Sequence, residues 1–373
     1  MDVIPLDLSN KRQTRDFLDL PFSIYRDIPQ WVPPLLTDER LRLNPKRFPF
    51  YRHSRAAFFL AYEGTRPLGR IAVLDNRNYN DYNRETAAFF HLFECEDNLP
   101  AASALFEAAF AWARSRGLNK ILGPKGFTPL DGFGLLVKGF DLRPALGLPY
   151  NPEYYVRLVE AQGFVNAGES VSGCLDANIR FPPRIHELAE RVASRRGLRV
   201  ARYAKRSDLR ALVPRLKELY NNALRDTTGN APLTDDEAKA LAGQLLWFAD
   251  PKLIKIVMKG DQPVGFLFAY PDISAALQKT RGRLLPFGWW TLLRELKRTD
   301  FLNINGAGLI PEYRGSGGTA ILYSEMFKSI VESGQFRRAE VVQIGVENEN
   351  MQREMANFGV DFYKVHRVYQ RGL

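Results

Sequence analysis

A glycine-rich turn between a predicted strand and a predicted helix is the part of the sequence best suited to anion binding. Residues 308–326 read GLIPEYRGSGGTAILYSEM, with the strand ending at Leu309-Ile310 and the helix opening at Thr319. Glycines leave backbone N–H groups uncovered, and the positive end of the helix dipole attracts phosphate. Arg314 can add a charged, two-pronged contact. The turn therefore predicts a phosphate or pyrophosphate site.

Other nucleotide and metal motifs do not fit the sequence. The turn lacks the Gly-Lys-[Ser/Thr] of a Walker loop and the GxGxxG spacing of a dinucleotide fold. Catalytic zinc is not expected, because the four histidines show no paired spacing. They are His53, His91, His186 and His366.

Cysteine use and hydropathy indicate the compartment. Cys95 and Cys174 are too few for a disulfide framework, so we expect free thiols in a reducing environment. The start of the chain lacks the layout of a signal peptide, and no apolar stretch approaches ~20 residues. We therefore expect a cytoplasmic protein.

The positive charge lies in the second half of the chain. The whole chain has a net charge of +10, yet residues 1–175 hold 21 basic and 20 acidic residues. Residues 176–373 hold 31 basic and 22 acidic residues, so an anionic ligand is expected there. No helix-turn-helix, zinc finger or RNP-like run is present, and no specific nucleic acid partner is expected.

The predicted elements follow the same order twice. Each half reads as a hairpin, strand, helix, strand, helix and strand, and the length of 373 residues suits two domains. We predict one domain over residues 1–180, with an irregular, proline-rich N-terminal extension, and a second over residues 181–373. Ser207 and Thr234 are the predicted N-caps of two helices in the second domain.

Spacing supports an internal repeat. The helix segments 105–117 and 322–334 have equal length and end in glycine. Each is followed by a short strand and then a helix that opens near an asparagine, Asn151 or Asn348. Two copies of one fold explain this order, and so does the chance likeness of two α/β halves.

Residues 314–319 resemble the phosphate signature of the GNAT superfamily (GCN5-related N-acetyltransferases), [Gln/Arg]-x-x-Gly-x-[Gly/Ala]. Thr319 departs from it at the last position, where the family keeps a small residue. In the next helix Asn348 and Gly359 also match the family, whereas Met355 stands where the family usually has a general-acid Tyr. The resemblance implies an α/β fold of two tandem GNAT-like domains, each with a mixed central sheet flanked by helices.

The resemblance also implies a donor and a set of contacts. The donor would be acetyl-CoA or a longer acyl-CoA, and the acceptor a small-molecule amine. The residues that would line the thioester between two parted strands are Asn305, Gly306, Leu309 and Ile310. The implied cofactor-binding residues are Leu309, Ile310, Arg314, Gly315, Ser316, Gly317, Gly318, Thr319 and Asn348.

Catalytic residues are less well marked. Glu347, at a strand end, is the candidate general base, and its other interpretation is a solvated surface carboxylate. Tyr363 could replace the acid missing at Met355, or it could simply pack in the last strand. A third possibility is catalysis by proximity alone.

The first copy lacks the features of the second. Its corresponding turn reads Glu96-Asp97-Asn98-Leu99-Pro100, with no glycine and no cation. Carboxylates repel a pyrophosphate, so we predict that the first copy does not bind CoA.

Residues 277–298 form a basic, aromatic insertion before the central strand of the second copy. Basic residues beside aromatics suit a membrane-surface helix or a lid over an acyl chain. The alternative is a helix packed between the two domains with its basic residues in solvent.

Three functions stay open on the sequence. The leading one is an acyl-CoA-dependent N-acyltransferase. The second is a transferase that uses aminoacyl-tRNA or an acyl carrier as donor. The third is a non-catalytic CoA-binding module, which the missing Tyr at position 355 keeps open.

Overall fold

The computed structural model describes residues 1–128, 131–176, 183–225, 227, 229–315 and 317–373. These residues form two compact units. The first unit comprises Met1–Val171, Ser274–Leu292 and Tyr363–Leu373, and the second unit comprises Ser172–Ile273 and Leu293–Phe362. The domain boundary after residue 180 stays a prediction.

Helices and strands alternate along most of the described chain. The elements up to residue 176 are β1 (Asp2–Pro5), α1 (Lys11–Ile24), α2 (Leu36–Arg42), β2 (Arg55–Glu63), β3 (Arg66–Asp75), α3 (Arg77–Asn83), β4 (Ala87–Cys95), α4 (Leu99–Ser115), β5 (Lys120–Gly123), β6 (Leu135–Lys138), α5 (Tyr154–Glu160) and β7 (Val165–Asp176). The later elements are α6 (Pro183–Arg196), β8 (Leu198–Ala201), α7 (Arg206–Ala211), α8 (Val213–Ala223), α9 (Asp235–Leu245), β9 (Ile254–Lys259), β10 (Gln262–Pro271), α10 (Ser274–Thr280), α11 (Gly288–Leu296), β11 (Phe301–Leu309), α12 (Gly318–Ser333), β12 (Arg338–Gly345), α13 (Glu349–Asn357) and β13 (Asp361–Gly372).

The first unit is built on a mixed sheet with the order β1–β2–β3–β4–β5–β13, and β6 also pairs with β13. The β2–β3 hairpin is antiparallel, whereas β4 and β5 are parallel. Helix α4 packs on β2 and β3. Edge-to-face and tilted aromatic contacts fill the core, which includes Phe90, Phe93, Phe106, Phe110 and Phe164.

The N-terminal extension is more regular than the sequence predicts. Strand β1 pairs antiparallel with β2, and α1 buries Phe17, Leu18 and Leu20. The Asn10 side chain caps α1 by accepting from the backbone N–H groups of the first turn. The prolines misled the prediction, because Pro21 is accommodated inside α1.

The second unit repeats the pattern with a mixed sheet in the order β7–β12–β11–β10–β9–β8. The β9–β10 hairpin turns at Gly260, whose φ of 56° suits glycine. Helix α12 packs on β9 and β10, and α8 packs on β10 and β11. Tyr220 of α8 stacks on Phe266 of β10, with ring centroids 5.9 Å apart. Both units therefore have the predicted mixed sheet with flanking helices.

One of the two predicted N-caps is correct. Thr234 caps α9 in a reciprocal capping box with Glu237. Ser207 is wrong, because the Asp208 carboxylate accepts from the backbone N–H of Lys205 (3.0 Å) and the helix therefore begins at Arg206. The segment after Ser207 forms two helices, because α7 ends at Ala211 and α8 begins at Val213.

Two further observations apply to the described residues alone. No group of three or more His, Cys, Asp or Glu among them could hold a metal ion. No helix among them has the length and apolarity needed to cross a bilayer. Cys95 and Cys174 are both free thiols, as predicted.

Candidate functional site

The glycine-rich turn connects β11 to α12 in the second unit. Gly315 has a φ of 63°, and Gly317, the N-cap of α12, has a φ of 84°. A Cβ at Gly317 would also lie 2.7 Å from Cγ2 of Val192. Position 317 therefore requires glycine for both its backbone angle and its close packing. Ser316, a predicted ligand, lies outside the described residues.

The first turn of α12 carries features that suit an anion. Among the described residues no side chain caps the helix, and its first turn holds no acidic residue. The N–H of Ile321 donates to the carbonyl of Gly317 (3.3 Å), so the amides of Gly318 and Thr319 precede the first bonds within the helix. Gly318 is buried and Thr319 is half-buried. The helix thus presents backbone donors and its positive dipole end at this point.

Arg314 stabilises the turn through backbone carbonyls. Its Nε donates to the carbonyl of Leu309 (3.3 Å), and its Nη2 donates to the carbonyl of Ala223 at the end of α8 (3.0 Å). The side chain therefore ties the turn to β11 and α8. Its predicted contact with a phosphate stays a prediction.

Strands β11 and β12 part beside this turn. Their parallel register runs from the pair Phe301–Arg338 to the pair Ile304–Val341. Strand β11 then continues to Leu309, where it still pairs with β10, and β12 continues to Gly345. Beyond Ile304, β11 is therefore no longer paired with β12, on the stretch that leads to the glycine-rich turn.

A β-bulge lies at the point where the strands part. Leu267 of β10 pairs with Ala307, while Ala269 pairs with Ile304, so Asn305 and Gly306 together face one residue of β10. Gly306 has a φ of 102°. Bulges bend a strand and redirect its groups, so the bulge explains why β11 leaves β12 here.

A half-buried tyrosine stands behind the bulge, and sequence reasoning missed it. The Tyr270 hydroxyl accepts from the side-chain amides of Asn303 and Asn305, at 3.1 Å each. Burial raises the pKa of Tyr270, so the hydroxyl stays protonated at neutral pH. The contact of Tyr270 with Asn303 follows from the strand register, which pairs the two residues. This register cannot be read from a sequence motif.

The other predicted site residues, all after β12 in the chain, do not lie together. Glu347 is exposed just after β12, and Asn348 is the N-cap of α13, where its Oδ1 accepts from the N–H of Met351 (3.2 Å). Met355 is fully buried, and its thioether side chain carries no hydroxyl that could act as an acid. Tyr363 falls in the first unit, where its hydroxyl accepts from Nζ of Lys364 (2.8 Å). The second unit thus holds the turn, Glu347 and Asn348, but not Tyr363.

The corresponding turn of the first unit is closed by its own side chains. Asn98 caps α4 by accepting from the N–H of Ala101 (3.0 Å), and Pro100 brings no N–H to the first turn. Asp97 is paired with Arg157 of α5. The donors that an anion would need are therefore occupied or missing there.

The diverging strand of the first unit is also occupied. The N–H of Cys95, at the end of β4, donates to the hydroxyl of Tyr155 (2.9 Å), and the hydroxyl of Tyr154 donates to the carbonyl of Cys95 (2.9 Å). Tyr155 in turn donates to the carboxylate of Glu94 (2.7 Å). Two tyrosines of α5 thereby fill the backbone edge that an extended ligand would pair with.

These features define a class of fold. The chain has the tandem fold of the GCN5-related N-acetyltransferases. A solved tandem GNAT protein from the clavulanic acid biosynthesis pathway superposes with a TM-score of 0.56, covering 100% of this chain and 98% of that chain at 11% identity.

Two curated proteins are similar in sequence over nearly the whole length. A bacterial ceramide synthase of Caulobacter vibrioides (strain NA1000 / CB15N) is 29% identical over 387 residues, which cover 100% of this chain and 98% of that protein. Protein YghO of Escherichia coli (strain K12) is 26% identical over 372 residues, covering 97% and 93% respectively. None of the protein-family models matches the chain.

Proposed function

We propose that the protein is an acyl-CoA-dependent N-acyltransferase whose donor site lies in the second unit. The observation that carries the proposal is the open N-terminus of α12 placed directly after a strand that parts from its parallel neighbour. The pyrophosphate of CoA would bind the amides of Gly318 and Thr319. The pantetheine arm would then pair with the exposed edge of β11.

The acyl group would lie at the bulge. Beyond Ile304, β11 has its backbone edge toward the cleft, and the extra residue at Asn305 and Gly306 turns the local peptide groups. Backbone N–H groups at such a point can hold a thioester carbonyl and stabilise the charge that develops on its oxygen. Asn305 is fixed by Tyr270, so this geometry is formed before the donor binds.

The reaction is the transfer of the acyl group to an amine. The amine nitrogen forms a bond to the carbonyl carbon, the carbon–sulfur bond breaks, and CoA leaves as a thiol after accepting a proton. The amine loses one proton, directly or through water, and Glu347 remains the proposed base. Tyr363, the acid expected from the sequence, lies in the first unit, and we propose instead that Tyr270 of the second unit polarises the site through Asn305.

The acceptor proposed here is a long-chain amine. The similarity to a protein named bacterial ceramide synthase supports this class, since a ceramide is chemically the amide of a long-chain amino alcohol. From the sequence alone, the expected acceptor is a small-molecule amine. A lipid amine keeps the same chemistry at nitrogen but needs an apolar path for its chain.

The test is a product assay on the purified full-length chain. Acyl-CoA donors of increasing chain length are incubated with sphinganine, and with ethanolamine and glucosamine as matched short amines. We expect release of free thiol and an amide product found by mass spectrometry, with sphinganine the best acceptor. Tight acyl-CoA binding without product from any amine would contradict catalysis, and a preference for short amines would contradict the lipid acceptor.

A further inference from the structure

Residues 279–290, here called the basic–aromatic loop, expose an unusual amount of apolar surface. Leu285 is 80% exposed, Phe287 is 77% exposed, Trp290 is 61% exposed and Trp289 is 46% exposed. Large apolar side chains clustered in this way on a surface mark a binding site for a partner or a membrane. All four belong to the first unit.

Backbone contacts fix the base of the loop. Nε2 of Gln278 donates to the carbonyls of Pro29 (2.7 Å) and Trp31 (2.9 Å). The N–H of Leu36 donates to the carbonyl of Gly282 (3.0 Å). Gly282 has a φ of 67°, and a Cβ there would lie 2.0 Å from the carbonyl oxygen of Pro34. The loop is therefore anchored to the N-terminal segment of the same unit.

The tip of the loop is also locally organised. Nε1 of Trp289 donates to the carbonyl of Pro286 (3.1 Å), so the polar atom of this indole is satisfied within the loop. The rings of Trp289 and Trp290 meet edge to face, with centroids 5.7 Å apart. A Cβ at Gly288 would lie 1.8 Å from the carbonyl oxygen of Arg283, so glycine allows the loop to close. The tip presents aromatic surface rather than unmet polar groups.

Charge identifies the kind of surface that the loop fits. Residues 273–294 contain no Asp or Glu, and Lys279, Arg281 and Arg283 are all exposed beside the aromatic tip. Trp and Phe insert at the boundary between lipid headgroups and acyl chains, while Lys and Arg attract anionic headgroups. The long stems of Lys and Arg also lie well along such an interface.

We infer that the basic–aromatic loop docks the protein on the surface of a membrane that contains anionic phospholipid. The aromatic tip enters the headgroup region, and the three basic residues contact lipid phosphates. The docking needs neither acyl-CoA nor catalysis, because the loop contains none of the residues of the glycine-rich turn. It therefore stands or falls independently of the proposed acyl transfer.

The test is sedimentation of the full-length chain with lipid vesicles. One set contains phosphatidylcholine alone, and the other contains about 30% phosphatidylglycerol, each at low and high salt. We expect at least about tenfold tighter binding to the anionic set, weakened by salt, with a blue shift of tryptophan emission. Equal binding to both sets, or no binding to either, would overturn the inference.

Two variants and two matched controls assign the binding to the loop. The variant Trp289→Ser/Trp290→Ser and the variant Lys279→Gln/Arg281→Gln/Arg283→Gln should each lose at least about tenfold in vesicle affinity. The controls carry the same kinds of change on exposed residues elsewhere in the first unit and should bind like the wild type. They are Leu142→Ser and Lys11→Gln/Arg15→Gln/Arg26→Gln.

Thermal unfolding and circular dichroism confirm that the variants fold, which is expected because every changed side chain is exposed. Retained vesicle binding in both loop variants would contradict the inference. So would a wild-type dimer that the Trp289→Ser/Trp290→Ser change dissociates without altering vesicle binding, because the aromatic tip would then be an interface between copies of the chain.

Discussion

In both units a strand pairs in parallel with its neighbour for a few residues and then parts from it. In the first unit the pairs run from Ala87–Lys120 to Phe89–Leu122, and in the second from Phe301–Arg338 to Ile304–Val341. Each diverging strand also carries a register shift against the preceding strand, with two residues facing one. The parted strands and the bulge that we propose hold the thioester therefore have a counterpart in the first unit.

The two units differ in how the backbone hydrogen-bonding groups of the helix N-terminus and the diverging strand are satisfied. In the first unit, Asn98 caps the helix, and Tyr154 and Tyr155 bind the backbone of Cys95. In the second unit, no side chain among the described residues caps the helix at Gly317, and Met355 offers no hydroxyl to the strand. In a repeated fold, side chains can thus occupy the backbone donors that a ligand would need, without any change of topology.

The largest expected effect comes from placing a carboxylate at the open helix. Thr319→Glu should weaken acyl-CoA binding about a hundredfold, because a negative charge would lie within a few ångströms of the pyrophosphate. An acidic residue in the first turn should leave α12 as stable as before or slightly more stable. Titration calorimetry and thermal unfolding measure the two quantities separately.

The matched control for this change lies in the first unit. Leu99→Glu puts a carboxylate at the first position of α4, on a residue that is 38% exposed. It should leave acyl-CoA affinity unchanged. Equal losses from Thr319→Glu and Leu99→Glu would break the contrast between the two helix N-termini.

The half-buried Tyr270 behind the bulge should affect turnover. Tyr270→Phe removes the acceptor for Asn303 and Asn305, and we expect kcat to fall about tenfold with KM for acyl-CoA little changed. Tyr220→Phe, on a buried tyrosine of the same unit, is the control. A raised KM with normal kcat would instead place Tyr270 in donor binding.

The tyrosines of the first unit should contribute to stability rather than to binding. Tyr155→Phe leaves the N–H of Cys95 and the carboxylate of Glu94 without their shared partner, at a cost of about 1–3 kcal/mol. Urea unfolding measures this loss, and titration of acyl-CoA should show no change. A gain of a second acyl-CoA site in this variant would mean that Tyr155 alone closes the first copy.

The smallest expected effect is the contribution of Glu94 to the pH dependence of stability. Burial raises the pKa of Glu94 above its ordinary 4.5, against the opposing influence of Arg70. The folded state then holds this proton more tightly than the unfolded chain, so its contribution to stability is lost as pH rises above 4.5. Glu94→Gln should flatten the dependence of the urea midpoint on pH in this range. An unchanged slope would contradict the raised pKa.

The sequence predicted the glycine-rich turn, the helix after it and the repeated order of elements, because glycine and helix caps leave local signals. It did not predict the bulge at Asn305 or the partnership of Tyr270 with Asn303, which depend on strand register. The role of Tyr154 and Tyr155 was hidden as well, since α5 and β4 are brought together only by tertiary packing.

We propose that the fold is used twice and that one of its two copies binds the donor. Titration calorimetry of the full-length chain with a non-hydrolysable acyl-CoA analogue tests it most directly, through the stoichiometry. We predict one site per chain, lost in Thr319→Glu and kept in Leu99→Glu. Two equivalent sites per chain, or a single site that survives Thr319→Glu, would contradict it.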